Sequence, residues 1–413
     1  MAFKPKPLRL QPQGSLLTPL LGRSPAKFAS SKSLAAYARP GIRVSSSQTQ
    51  LLVPPQAASA GISPSPAKPA SVVPSLQNRR RSLPEMTPTQ STLPKIRSRA
   101  ASDADLAMPL RRNLKEATVP LSAIKKCYRL SHVGSVMGRP KANNQDAHFY
   151  VISITPGAEM SIMGVCDGHG ESGHYVSGLV SKTLPGIIKE TYGHFIGKVV
   201  DLWPTVLVES YKQVVSDLGR QSFDSVYSGS TSVTVVFAGG SLICANVGDS
   251  RAVLGRRTGA SFTAVALSRD QKPDVEEEKQ RILDFGGRVE AINIDGEDIG
   301  PLRVWLQSQD APGLAMTRAM GDTLARRCGV ISTPEVIITP LSPEDAFVIL
   351  ASDGIWEFIS SQEAVDLAGS YWKEGRLEEC CQALVAEATL RWRREEECID
   401  DITVLIAELN TLH

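Results

Sequence analysis

Five aspartates stand where apolar segments end: Asp146, Asp167, Asp249, Asp353 and Asp400. An ionised carboxylate at the edge of a core is costly unless it is paired or ligated. One such residue reads as a turn former or a helix cap. Five in one region, three of them in the settings VCDGHG, LASDG and IDDIT, read as a metal site. Oxygen donors with no accompanying cysteine, and with a histidine at one position only, His169, suit Mg²⁺ or Mn²⁺ rather than zinc. Two such ions sharing a carboxylate would lower the pKa of a water, aim it at phosphorus and offset the charge on the phosphoryl oxygens. That reaction needs no protein nucleophile. Accordingly the chain shows neither a GxSxG elbow nor a Walker-type phosphate loop.

The elements that must position these carboxylates are short. Ser161 to Cys166, Ser232 to Ala238, Leu242 to Val247, Phe347 to Ala351 and Ile402 to Ala407 are apolar runs of strand length bounded by turn residues. Amphipathic spacing predicts helices over Ser172 to Tyr192, Leu202 to Phe223, Asp274 to Phe285, Ser361 to Ser370 and Leu377 to Arg394. Strands come in adjacent pairs and helices in consecutive blocks, which points to antiparallel sheets with helices outside them. Gly248-Asp249-Ser250-Arg251 reads as a tight hairpin turn, and Arg288 to Pro312 as a long polar loop. Trp305 and Trp356 read as anchoring and core residues, and Cys380-Cys381 as helix packing.

Charge divides the chain in two. The first hundred residues hold 15 Lys+Arg against one acid, Glu85, and the remainder carries a formal net charge of −12. Residues 1–120, rich in Ser, Pro and basic residues with no sustained period, read as a disordered tail ahead of a catalytic domain over 121–413. Within the tail, Arg79-Arg80-Arg81-Ser82 looks like a site for a basophilic kinase, where phosphate would meet three arginines. Seven cysteines without metal or disulfide spacing predict reduced thiols and an intracellular protein, cytoplasmic or nuclear. Organelle targeting by the basic tail is the alternative. No apolar run reaches the roughly 18 to 20 residues of a membrane helix. Nothing in the tail has the aromatic interleaving of a nucleic-acid binder, so that partner is not expected.

At this point a resemblance becomes specific. The chain is similar to the metal-dependent serine/threonine protein phosphatases of type 2C, in order from about Val133 to Leu409. The segments are KANNQDAHFY, MGVCDGHGESG, GSTSVTVVF, ANVGDSRAVL, LSRDQKPDVEEEKQRI, GLAMTRAMGD, ISTPEV, LASDGIWEFIS and DDITVLI. The resemblance implies a four-layer αββα sandwich of two antiparallel sheets flanked by helices, an α+β fold. It implies hydrolysis of phosphoserine and phosphothreonine in phosphoprotein substrates by a water activated between two Mn²⁺ or Mg²⁺ ions.

Residue by residue, it implies that Asp167 bridges the ions, that the Gly168 carbonyl completes one site, and that Asp353 and Asp400 ligate the other ion. Asp146 would orient water within the metal site, and Asp249 and Glu357 would serve a weaker third ion. His169 matches the general acid for the leaving oxygen. Lys141 matches a basic residue for the substrate phosphate, often arginine, and supplies charge without the bidentate fork. Gln145, Glu171, Asp401 and Glu357 also depart from the common pattern. Rival readings are a phosphoprotein-binding module without activity, a tail-driven nucleic-acid binder, and an enzyme for small phosphate esters. The resemblance also makes the 288–312 loop a flap beside the site.

Overall fold

The computed structural model describes residues 123–155, 158–195 and 202–410. Residues 1–120, where the sequence places the tail, the Ser82 motif and the alternative of organelle targeting, lie outside them. Elements are numbered in chain order. One sheet has five antiparallel strands in the order β1 (Ile124–His132), β18 (Ile402–Leu409), β16 (Asp345–Ala351), β9 (Arg251–Thr258) and β10 (Ser261–Ala266). The other has seven: β14 (Met320–Gly321), β6 (Gly229–Ser230), β5 (Ala158–His169), β7 (Ser232–Ala238), β8 (Ser241–Val247) and β15 (Glu335–Pro340), with β4 (Asp146–Thr155) also paired to β5.

The two-residue period of a strand sends alternate side chains to opposite faces, and this builds the layers. Met163, Val165, Val233 and Val235 of the larger sheet meet Leu254, Val348, Leu350 and Leu405 of the other in an inter-sheet core. Their neighbours Ile162, Cys166, Val236 and Ile243 face outward onto α1 (Gly173–Gly193) and α2 (Trp203–Leu218) through Val176, Val180, Leu184, Val206 and Tyr211. On the far side Val253, Phe347, Ile349 and Ile406 pack against α5 (Ser361–Lys373) and α6 (Leu377–Glu395). The result is the αββα sandwich. Cys380 and Cys381 are buried in this outer core as packing residues. Trp356 is buried beside them, its Nε1 donating to the Ala351 carbonyl at 2.9 Å.

Two local expectations are corrected. Gly248 to Arg251 is not a hairpin, because β8 and β9 belong to different sheets and the segment carries the chain from one to the other. The short turn between two apolar runs looks the same in either case. Residues 288–312 are not a loop: β11 (Gly287–Ile294), β12 (Glu297–Leu306) and β13 (Gln309–Leu314) form a separate antiparallel sheet after α3 (Glu276–Asp284). Its first turn is Asp295-Gly296, with φ of 54° and 90°, the left-handed pair that a two-residue hairpin demands. Trp305 is buried there as an anchor, its indole donating to the Glu290 carbonyl at 2.9 Å. A last small sheet joins β17 (Cys398–Ile399), β2 (Ser135–Val136) and β3 (Arg139–Pro140), and a short α4 (Asp353–Trp356) follows β16.

Candidate active site

The carboxylates are delivered by the ends of strands from both sheets. Asp146 opens β4 and Asp167 nears the end of β5, and the two are register partners in the antiparallel pair. Asp353 begins α4 as the chain leaves β16, Asp400 lies between β17 and β18, and Asp249 sits on the segment that crosses between sheets. All but Asp146 are buried. Ser352 stitches the seam between the sheets: its hydroxyl donates to Asp146 Oδ2 at 2.8 Å and accepts from the Thr403 amide at 3.0 Å. The backbone of Asp167 is fixed from below, its N–H donating to Thr231 Oγ1 at 2.9 Å.

Gly168 has no room for a side chain, since a Cβ there would lie 2.4 Å from the Gly173 carbonyl and 2.6 Å from that of Gln145. This tight crossing turns the chain out of β5 with Asp167 in place. Gln145 is the clamp around it. Its carbonyl accepts from the Gly168 amide at 3.0 Å and from Ser177 Oγ at 2.6 Å, and its side-chain amide donates to the Gly170 carbonyl at 2.7 Å. A glutamate at 145 has no N–H for that last bond. Asp401 is likewise structural: its two carboxylate oxygens accept from the backbone amides of Gly134 at 2.7 Å and Gln145 at 2.9 Å. Asparagine offers only one acceptor oxygen.

Among the described residues, carboxylates outnumber cationic side chains at this seam. Lys141 Nζ lies 2.5 Å from Asp400 Oδ1 and 3.6 Å from Asp401 Oδ2. Lys272 Nζ lies 3.6 Å from Glu357, and although burial works against its charge, Asp249, Glu357, Asp353 and Asp270 raise its pKa above the usual lysine range. Glu357 is pushed up by burial first; Lys272 draws it back, and the charges of Asp353 and Asp400 add to the rise. Among the described residues no three acidic, histidine or cysteine side chains close into a preformed metal cage. A lysine ammonium instead stands on Asp400, where a cation would sit. The donors are carboxylates with no thiolate among them, and they already draw two ammonium groups; in kind and charge they fit a hard divalent cation.

His169 ends β5. Its Nε2 lies 2.7 Å from Asp322 Oδ2, and Nδ1 has no hydrogen-bond partner. Gly229 makes space for the pair, since a Cβ there would fall 1.9 Å from Asp322 Oδ2 and 2.7 Å from His169 Nε2. Asp322, buried and with φ of 44°, is not singled out by the sequence; its signal is the Met-Gly-Asp turn, a place where aspartate tolerates the left-handed region. Lys272 and Ser352 are also absent from the residues the sequence marks, whereas Gly229-Ser230-Thr231 is marked by its small residues as a strand passing under the site. The structure thus brings Asp146 and Asp167 together by register, links Asp353, Asp249 and Glu357 through Lys272, and places Lys141 on Asp400.

A seam of hard-ligand carboxylates beside a His–Asp pair, on an αββα sandwich, defines a metal-dependent phosphoester hydrolase. The family model described as Protein phosphatase 2C matches residues 131–396. Among relatives, the chain is 40% identical over 288 residues to probable protein phosphatase 2C 64 of Oryza sativa subsp. japonica, covering 68% of this chain and 66% of that one. It is 36% identical to probable protein phosphatase 2C 72 of Arabidopsis thaliana, covering 67% of this chain and 85% of that one. In solved structures the fold recurs in the serine-threonine phosphatase 2C from Toxoplasma gondii, with a TM-score of 0.59, 23% identity, and coverage of 69% of this chain and 94% of that one. The chain belongs to the protein phosphatase 2C family, whose members are metal-dependent protein serine/threonine phosphatases.

Proposed function

We propose that this phosphatase hydrolyses phosphoserine and phosphothreonine in intracellular proteins with two Mn²⁺ or Mg²⁺ ions, by direct attack of water on phosphorus. The observation that supports it most is the gathering of buried aspartates from both sheets at one seam. Asp167, the Gly168 carbonyl, Asp353 and Asp400 would hold the ions, with Asp249 and Glu357 toward a weaker third position. When bound, the ions supply Lewis-acid activation of water and offset charge on the phosphoryl oxygens. Asp146, held by Ser352, would orient the attacking water. His169, its ring fixed at Nε2 by Asp322, would give a proton from Nδ1 to the leaving seryl or threonyl oxygen. Lys141 would meet the substrate phosphate, and to do so it must exchange Asp400 for the phosphoryl group. Turnover of a phosphothreonine peptide compared with small phosphate esters, each with Mn²⁺ and with excess chelator, tests the reading. It fails if the small esters are the better substrates or if chelation leaves the rate unchanged.

The seven cysteines are all free thiols, which supports a reducing compartment, cytoplasmic or nuclear. Imaging the tagged full-length chain beside a chain lacking residues 1–120 checks this. An organellar signal that disappears with the tail overturns it.

A further inference from the structure

An apolar platform adjoins His169. Tyr175 in the first turn of α1 is 55% exposed, and Val226 and Tyr227, on the segment between α2 and β6, are 44% and 51% exposed. The Tyr175 ring stacks on Phe223, with centroids 5.6 Å apart and planes 20° from parallel. Large exposed apolar side chains grouped on neighbouring segments mark an interaction surface more often than isolated ones do.

The segment that carries Val226 and Tyr227 is firmly held. Asp224 Oδ1 accepts from the Val226 and Tyr227 amides at 2.8 and 3.4 Å, and Oδ2 accepts from Ser228 Oγ at 3.2 Å. Ser228 Oγ in turn accepts from the Ser172 amide at 3.0 Å, which ties the segment to the start of α1. The carbonyls of Ser225 and Ser228 accept from the Thr323 and Asp322 amides at 3.0 and 3.1 Å. Asp322 is the residue that holds His169, so platform and catalytic histidine share one scaffold. The approach is close on the other side too: a Cβ on Gly170 would lie 2.4 Å from the Tyr227 carbonyl. Asp224 is the sole charge between Ser222 and Ser228, and the loop's own hydrogen bonds occupy it.

From this we propose that Tyr175, Val226 and Tyr227 form a specificity subsite that receives an apolar side chain flanking the phosphoserine or phosphothreonine of a protein substrate. The inference rests on the phosphatase reading. An extended substrate advances about 3.3 Å per residue, so the chain on one side of a phosphoresidue at His169 crosses this platform within a few positions. Aromatic rings fixed in advance bind at low entropic cost. The side chains of Tyr175, Val226 and Tyr227 carry no charge and favour an apolar residue over a charged one.

The test uses the full-length protein with Mn²⁺ and phosphothreonine peptides carrying one phenylalanine at each position from −4 to +4 in a Gly/Ser background. Each enzyme is normalised to its own kcat/KM on the background peptide. The wild type is expected to prefer phenylalanine about 5- to 20-fold at one or two positions, mainly through KM, the span one apolar group supplies in a pocket. The preference collapses to within twofold in Tyr175→Ser/Tyr227→Ser and survives in Tyr227→Phe. No preferred position in the wild type, or a preference that survives the double serine variant, overturns the proposal. A dimer of the wild type that the double variant dissociates, with no phenylalanine preference, also overturns it, and assigns the platform to a second copy of the chain. Absence of any turnover of the background peptide by the wild type would instead count against the phosphatase reading itself.

Discussion

Two buried acidic clusters lie in this domain and behave oppositely. Glu278 of α3 is buried, and its carboxylate accepts from Arg281, Arg318 and the Thr317 hydroxyl. Burial alone would raise its pKa, but these hydrogen bonds outweigh it and hold the group at about 2. At the sheet seam Lys141 meets Asp400 and Asp401, Lys272 and Arg251 act on Asp249 and Glu357, and Glu357 is pushed above its ordinary value by burial first. A buried acid that is fully matched supports the fold. Acids that outnumber the cationic side chains described around them are the donors that a hard divalent cation suits.

Substitutions at the two clusters should therefore separate activity from stability. The largest effect is expected for Asp353→Asn: kcat on a phosphopeptide falls by about a thousandfold or more, the scale of losing electrostatic stabilisation in a transition state. Its melting temperature in chelator stays level or rises, because one of several like charges has gone. A fall in melting temperature with activity retained would erase the distinction. Asp322→Asn comes next. It should lower kcat by about 10- to 100-fold, within the range of general acid catalysis, with KM little changed. An unaltered kcat would remove Asp322 and His169 from the chemistry.

Glu278→Gln should do the reverse. It should cost roughly 3 kcal/mol of stability in chemical denaturation, the worth of its depressed pKa, while the kcat of the folded enzyme holds. The sign with pH follows: the contribution is fully present above the unfolded value of 4.5 and is lost as pH falls toward about 2. Wild type and Glu278→Gln should thus converge in stability on acidification; parallel curves would refute the assignment. The smallest effect belongs to Lys141→Arg, where the bidentate fork should lower KM for a phosphopeptide by a few-fold. A rise in KM would mean that the contact with Asp400, rather than phosphate, sets the role of Lys141.

The carboxylates were legible in the sequence because each stands at one end of an apolar run, and the sheets because the runs come in adjacent pairs. Asp322 and Lys272 were not legible. Asp322 follows only the two-residue β14 and Lys272 follows no strand, and their roles arise only when distant segments fold against β5 and α4. Gln145 and Asp401 read in sequence only as departures from the common pattern, whereas hydrogen bonding makes each one part of the scaffold of the Gly168 turn. The three-stranded sheet at 287–314 escaped because charged residues break its alternation, although Asp295-Gly296 carried the hairpin signal. The segment at 248–251 shows the converse limit: a turn motif does not say whether the strands it joins will pair.

Titrating Mn²⁺ into metal-free wild type and Asp167→Asn, with heat of binding and phosphopeptide turnover recorded on the same samples, tests the central claim most directly. The wild type should bind the ion, gain thermal stability as it does so, and turn over substrate only when loaded. Asp167→Asn should lose both binding and turnover while remaining folded. Undiminished turnover by Asp167→Asn, or turnover by the wild type in excess chelator, would contradict the account.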